Sequence, residues 1–596
     1  MGSAAAASAV RPRRRIDPLW LAVPGLLFLA LFLVYPTFQL LQLSVQDPET
    51  GAFSLTSYRR AFTVGVYARV LEITFTVAAQ TTLLCLLFGY PLAYWLSRLP
   101  AEKQRAMVLL VLLPFWTSAL VKNFAWLMLL GRTGIVANTA RWLGFDNPPE
   151  LLFGRATVVF AMTHTMLPLA VVTMLPVMSK IDARLLAAAQ TLGATRAEAF
   201  WRIFFHLSMP GVAAAGLLVF IAAIGFFITP ALLGGPRETL MGQVIIDQIL
   251  QLQNWSFASA LASILIAAAL LTCIVFHQIF GLSSSDGPQS SDAAHPSLKR
   301  SLGLRLLGLL GTLFRGIASI FSAIFGPRIL SWVLPVYSGI VIAVLLVPVV
   351  AIIPVGFTSS TFISFPPPGF SLRWLFEYLD SPVWMGATAR SFVIGAATAV
   401  LTIAIASLAA LGVVRTKRRV ADAIFLIFLM PMVMPTIITA VGLFYLCAQL
   451  SLVATNTGII IGHTLTSIPI AFVILVTAFR TYDFRLDQAA YTLGANRRRA
   501  FLRVTLPLLT GAFAAAFIFA FVHSFEELTV AIFLGGGLKS TLPKQMWDDV
   551  LLQVSPTLAA ASAVVILVVT SLFLIAEYLR YARTPRLRGA QPIDGH

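Results

Sequence analysis

Stretches of about 20 apolar residues recur along nearly the whole chain, each long enough to cross a bilayer core of roughly 30 Å. Lipid offers the backbone no hydrogen bonds, so each stretch must close its own as a helix. Twelve such runs are expected, at about 19–45, 69–97, 106–130, 153–179, 211–234 and 257–281, then 332–357, 388–414, 420–449, 456–481, 511–535 and 556–580. The predicted fold class is therefore an all-α integral membrane protein. A mean hydropathy of +0.88, with 58% hydrophobic and 11% charged residues, excludes a soluble domain of this length. The first run follows Arg11, Arg13, Arg14 and Arg15, is too long for a signal-peptide core and lacks a small-residue cleavage site, which predicts a retained signal anchor.

The net charge of +18 does not point to nucleic acid, because the basic residues lie in short clusters between the apolar runs. With the N-terminus inside, the cytoplasmic segments hold 30 of the 42 Lys and Arg residues. That count places both termini in the cytoplasm. Cys85, Cys273 and Cys447 sit inside apolar runs without metal-ligand spacing and read as buried hydrophobes.

Two of the polar islands are copies of each other. DARLLAAAQTLGATRAEAFWRIFFHLSMP (182–210) and DFRLDQAAYTLGANRRRAFLRVTLP (483–507) superpose at a constant shift of 301, matching at Asp182/Asp483, Arg184/Arg485, Ala188/Ala489, Ala189/Ala490, Leu192/Leu493, Gly193/Gly494, Phe200/Phe501 and Arg202/Arg503. The chain is thus two related halves in tandem. Before each Gly the Ala-rich stretch favours helix, and the Gly permits a sharp turn into a second short helix. The expectation is a compact helix–turn–helix knob standing out of the membrane once per half, suited to a symmetric two-part partner.

This pattern resembles the EAA signature of bacterial ABC importer permeases: Glu-Ala-Ala, three residues, Gly, nine residues, Ile-x-Leu-Pro. The second copy runs Gln488, Ala489, Ala490, Gly494, Val504, Leu506, Pro507, and the first runs Ala187, Ala188, Ala189, Gly193, Ile203, Phe205, with His206 in place of Pro. Glu is missing from both, so the ion pair that Glu makes with the ATPase elsewhere in the family is not implied here. The first half, with LLPFWTSALVKNFAWLMLLGRTGIVAN (112–138), is similar to the first permease of spermidine/putrescine-type importers. The second, with FPPPGFSLRW (365–374) and SFEELTVAIFLGG, resembles the second permease of the same group.

The resemblance implies two fused six-helix type I importer domains. Residues 1–18 would be a cytoplasmic tail, 19–281 the first permease domain, 282–331 a linker, 332–582 the second permease domain and 583–596 a second tail. Within the linker, 302–325 is apolar with Arg305 and Arg315, and either lies flat in the membrane interface or packs on the bundle. The resemblance further implies two copies of a cytoplasmic ATP-binding subunit on the knobs, a periplasmic solute-binding protein, a bacterial inner-membrane location, and no cofactor in this chain, ATP and Mg being held by the partner. GGGLKST (535–541) lacks the Gly before Lys of a phosphate loop, and no triad, HExxH or CxxC occurs, so no catalytic residue is expected. His164 and His463, inside spans, read as packing or hydrogen-bonding groups.

Ionisable residues inside spans are costly and default to pathway candidates. Glu526 and Glu527 lie toward the outer end of the eleventh span, and Lys122 at matching depth in the third. Asp247, Asp548 and Asp549 lie on the outer side beside Trp255 and Trp547, where carboxylates and aromatic faces suit an amine. Alternatively the Trp residues form an interfacial belt, Lys122 snorkels and the acids cap helices. The expected solute is a small amine, a polyamine or an opine-like compound; ferric iron or 2-aminoethylphosphonate is the alternative within the class. A secondary transporter of twelve spans is the rival from another class, and it would show no paired docking loops.

Overall fold

The computed structural model describes residues 18–47, 50–147, 150–280, 332–552 and 555–582. The linker expected at 282–331, its apolar segment 302–325 and the tails 1–17 and 583–596 lie outside the described residues. Helix dominates; among the described residues the strand pairing is two isolated bridges, Gln46 with Phe53 and Thr358 with Phe370. Eleven helices are long and apolar enough to cross a membrane, or twelve if the bent pair Arg418–Val433 and Thr436–Gln449 counts as one.

Each half is built on three helices packed on one another: Gly65–Ser97, Arg155–Ser179 and Phe205–Ile224 in the first, Pro382–Arg415, Asn456–Thr481 and Leu506–Glu526 in the second. The leading span of each half leaves this core and reaches the other half, Tyr35–Ser44 packing on Trp255–Phe280 of its own half as well. Pro18–Leu21 lies on Pro382–Arg415, and Tyr35–Ser44 on Thr436–Gln449. Gly25 faces Phe428 with no room for a side chain, since a Cβ there would lie 2.4 Å from the ring. In return, span Trp332–Val355 reaches the first half: Tyr337 donates to the Phe88 carbonyl at 3.0 Å, and His164 Nε2 to that of Leu345 at 3.1 Å.

Four expected spans are not continuous helices. The run expected at 420–449 turns by 93° between Val433 and Thr436, and that expected at 106–130 divides into Ala101–Phe115 and Ala119–Leu130. Pro431, Pro435 and Pro114 explain the positions, because proline removes a donor and disfavours helix in the residue before it. Ser118 restarts the second piece by accepting from Leu120 N at 3.2 Å. The runs expected at 211–234 and 511–535 break at Gly225–Phe227 and Glu527–Leu528, each followed by a short helix, Ile228–Leu233 and Thr529–Leu534. The repeat extends to unusual backbone: Phe153 and Ala454 both have positive φ, and their N–H groups tie down the short helices at Leu233 O and Leu534 O, both at 2.9 Å.

Where the halves cross, Gly225 lies so close to Pro435 that a Cβ would sit 2.7 Å from the proline ring. Gly225→Val is expected to cost about 1–3 kcal/mol of overpacking at this seam. A fall in thermal unfolding midpoint checks it. Gly511, which has nothing within 4 Å, provides the control.

Both islands stand at one end of the bundle. Gly412 packs on Pro18, and Arg415, three residues on, pairs with Asp487 of the second island at 3.5 Å. At the other end of the first span, Ser44 hydrogen-bonds Tyr58, which leads into Gly65–Ser97; Arg98, after that helix, lies over the Phe204 ring of the first island.

Candidate functional site

The two islands fold alike from matching local signals. Asp182 Oδ1 accepts from Arg184 N and Asp483 Oδ1 from Arg485 N, both at 2.9 Å, at the head of helices Ala183–Thr191 and Arg485–Thr492. These end at Gly193 and Gly494, whose φ values of +93° and +84° lie in the left-handed region that closes a helix. The next N–H bonds back, from Ala194 to Ala189 O and from Ala495 to Ala490 O, both at 3.0 Å. A second cap follows: Thr195 with Glu198 in one copy, Asn496 accepting from Arg499 N in the other. Each then passes through one π turn, Phe200–Phe204 or Phe501–Thr505, into the next span.

Ala187, Ala188, Ala189, Gln488, Ala489 and Ala490 lie on these first helices, and Pro507 opens the following span. At each tip the residue before the glycine is bare: Leu192 is 89% and Leu493 88% exposed. Both knobs thus present a leucine almost entirely to solvent. His206, replacing the signature's proline, hydrogen-bonds the Trp201 carbonyl at 3.1 Å.

Alike at the tips, the knobs differ at the roots. Asp487, 4% exposed, accepts from Tyr482 and Thr505 hydroxyls, each at 2.8 Å, and pairs with Arg415. The matching positions in the first copy are Leu186, Ile181 and Phe204, and there Tyr90, Tyr94, Phe200, Phe204 and Phe205 form an aromatic cluster with Arg98 over it. One knob is held by a buried polar hub, the other by rings.

At the seam the pathway candidates separate into two groups. Lys122, 3% exposed, donates to the Pro114 carbonyl at 2.9 Å and feels the charge of Glu526 from the other half. Glu526 Oε1 is buried without a hydrogen-bond partner, as are His164 Nδ1 and Trp126 Nε1. Trp126 and His164 pack edge to face at 5.3 Å. Glu526 corresponds to Gly225 in the repeat, the residue that packs on Pro435 of the other half. Glu527 lies apart: it accepts from Val530 N at 2.9 Å, capping Thr529–Leu534, and pairs with His463 Nε2 at 3.3 Å. His463 Nδ1 meets Ser524 Oγ at 2.8 Å, so its role is to hydrogen-bond.

The remaining candidates lie at the end away from the knobs and do not converge. Trp255 packs on Phe444 and Tyr445, and Trp547 on Phe227, both across the seam. Asp548 pairs with Lys544 at 2.6 Å, and Asp549 accepts from Ser555 at 2.8 Å. Partial burial raises the carboxyls of Asp247 and Asp549 above the ordinary aspartate value of 3.8. Among the described residues no group of three His, Cys, Asp or Glu could hold a metal ion.

The profile of the family described as binding-protein-dependent transport system inner membrane component matches residues 402–588, which include the second knob. The spermidine/putrescine transport system permease protein PotB of Salmonella typhimurium is 32% identical over 242 residues, 83% of that protein and 39% of this chain. PotB of Escherichia coli is 31% identical over 92% of its length and 42% of this chain, and the E. coli putrescine transport system permease protein PotI 28% identical over 82% and 37%. A solved bacterial alginate ABC transporter, in complex with an alginate-pentasaccharide-bound periplasmic protein, aligns over 44% of this chain and 92% of its own at 19% identity and a TM-score of 0.37.

Proposed function

The chain belongs to the inner membrane components of binding-protein-dependent transport systems, as an ABC importer permease of the polyamine type, and from that premise we propose that its two fused halves carry a small amine-containing solute from periplasm to cytoplasm. The knob end then faces the cytoplasm, each knob seated in a groove of one copy of a separate ATP-binding subunit, which holds ATP and Mg. A periplasmic binding protein delivers the solute at the opposite end. Closure of the ATP-binding pair presses the knobs together and tilts the halves about the seam.

The observation that carries this reading is the pair of knobs at one end of the bundle, each with a left-handed glycine and a bare leucine at its tip. An amine is supported by Glu526 at the seam, a carboxylate with an oxygen left free. Lys122 beside it favours a second reading, a solute bearing an acid group as well, opine-like or an aminophosphonate.

The test is purification of the full chain from its own cells. Recovery of an ATP-binding protein with it, and ATP-driven uptake of putrescine or spermidine into proteoliposomes holding both and a binding protein, is the expected result. Uptake driven by an ion gradient without ATP would sink it.

A further inference from the structure

A cavity of about 470 Å³ opens at the end away from the knobs, within the first half alone. Arg69, Arg155, Arg237, Glu238, Gly65 and Thr239 are among its lining residues. Three guanidinium groups meet one lining carboxylate. Glu238 engages Arg155 at 3.0 Å. Arg69 pairs with Glu72, but both side chains of that pair are more than half exposed, so the contact holds weakly. Arg237 has no ion pair or hydrogen bond among the described residues, and its planar fork is suited to an oxyanion.

The second half provides a control within the molecule. The two halves register here because Met241 N donates to Thr74 Oγ1 at 2.9 Å and Leu542 N to Ser391 Oγ at 2.8 Å in the same way. On that register Arg69, Arg155 and Arg237 correspond to Gly386, Asn456 and Leu538. The two long helices starting there, Pro382–Arg415 and Asn456–Thr481, are capped by their own side chains, Ser381 accepting from Trp384 N and Thr455 from Gly458 N. Their first-half counterparts, Gly65–Ser97 and Arg155–Ser179, begin at the cavity after Val64 and Gly154 with no side-chain cap. So the half that has the arginines lacks the caps, and the half with caps lacks the arginines.

We propose that this cavity binds a phosphate-type oxyanion, free or carried on a lipid headgroup, held by Arg237 and Arg69 and supported by the uncapped ends of the two helices. The site lies outside the seam and is independent of the solute. The ligand takes the place that Ser381 and Thr455 fill in the second half, and its charge offsets the excess of guanidinium groups. Exposed Phe62 and Val66 at the same end present an apolar rim to acyl chains.

The experiment follows thermal unfolding of the full chain in detergent at constant ionic strength, titrating inorganic phosphate and, separately, phosphatidylglycerol. The midpoint is expected to rise. Arg237→Gln, an exposed side chain whose loss cannot unfold the bundle, should weaken apparent affinity about tenfold or more, and so should Arg69→Gln. Lys539→Gln, in the matching loop of the second half, should leave it unchanged. A rise with phosphatidylglycerol alone identifies a lipid headgroup, and a rise with both a free oxyanion. No rise with either, or equal affinity in wild type and Arg237→Gln, overturns the site.

Discussion

The double variant Leu192→Asp, Leu493→Asp is expected to lose ATP-driven uptake by about a hundredfold or more while unfolding at the wild-type temperature. Both leucines stand almost fully in solvent, so the fold loses nothing when they change. In a partner's groove each would bury a side chain worth about 1.5–3 kcal/mol, and two together account for a factor of about a hundred or more in association. An aspartate there must also be stripped of water. Co-purification with the ATP-binding subunit measures the loss directly, and retention at wild-type level would remove the docking role. A companion pair separates surface from backbone. At Gly494 a Cβ would meet nothing within 4 Å, so only the φ of +84° opposes a side chain. Asn tolerates that region, whereas a β-branched residue is strained by about 1–2 kcal/mol or more. Gly494→Asn should therefore keep coupling that Gly494→Val loses.

Lys122→Met should destabilise the protein by about 1–3 kcal/mol, because it removes the buried charge-assisted hydrogen bond that Lys122 Nζ donates to the Pro114 carbonyl at 2.9 Å. Adding Glu526→Gln to Lys122→Met should cost little further stability, since it replaces a buried carboxyl whose Oε1 has no hydrogen-bond partner by an amide of the same shape. Uptake should stay lost in the double variant if the pair lines the path. Unfolding midpoints and proteoliposome uptake, measured on all three variants, separate the roles. Full uptake by the double variant would reduce both residues to structural groups, and an unaltered midpoint in the single variant would show that the hydrogen bond to Pro114 contributes nothing to the fold.

The spans and the knobs were legible because both are local. An apolar run declares a helix through its length, and a glycine after an alanine-rich stretch declares a turn. The breaks were half legible: Pro114, Pro431 and Pro435 stand in plain view, but the run of apolar residues around them reads as one segment. The break at Glu527 had a usable signal, a carboxylate three residues before Val530, which is the spacing of a cap. The polar hub at Asp487 was less legible, for besides the nearby Tyr482 its partners Arg415 and Thr505 lie far along the chain. The same holds for Gly25 against Phe428, where neither residue's neighbours hint at the other. At the candidate site the sequence pointed to Lys122, Glu526 and Glu527 by charge alone. It could not separate Glu526, facing the other half, from Glu527, which serves its own backbone.

The exchange of leading spans has a consequence for how the molecule is made. A chain emerging from its N-terminus inserts its opening helix long before Phe428 and Gly442 exist to receive it, so Gly25 and Pro36 meet their partners only once the latter part is synthesised. The two parts end interlocked. Joining them in one polypeptide secures a strict one-to-one ratio and holds the late partner near the waiting helix.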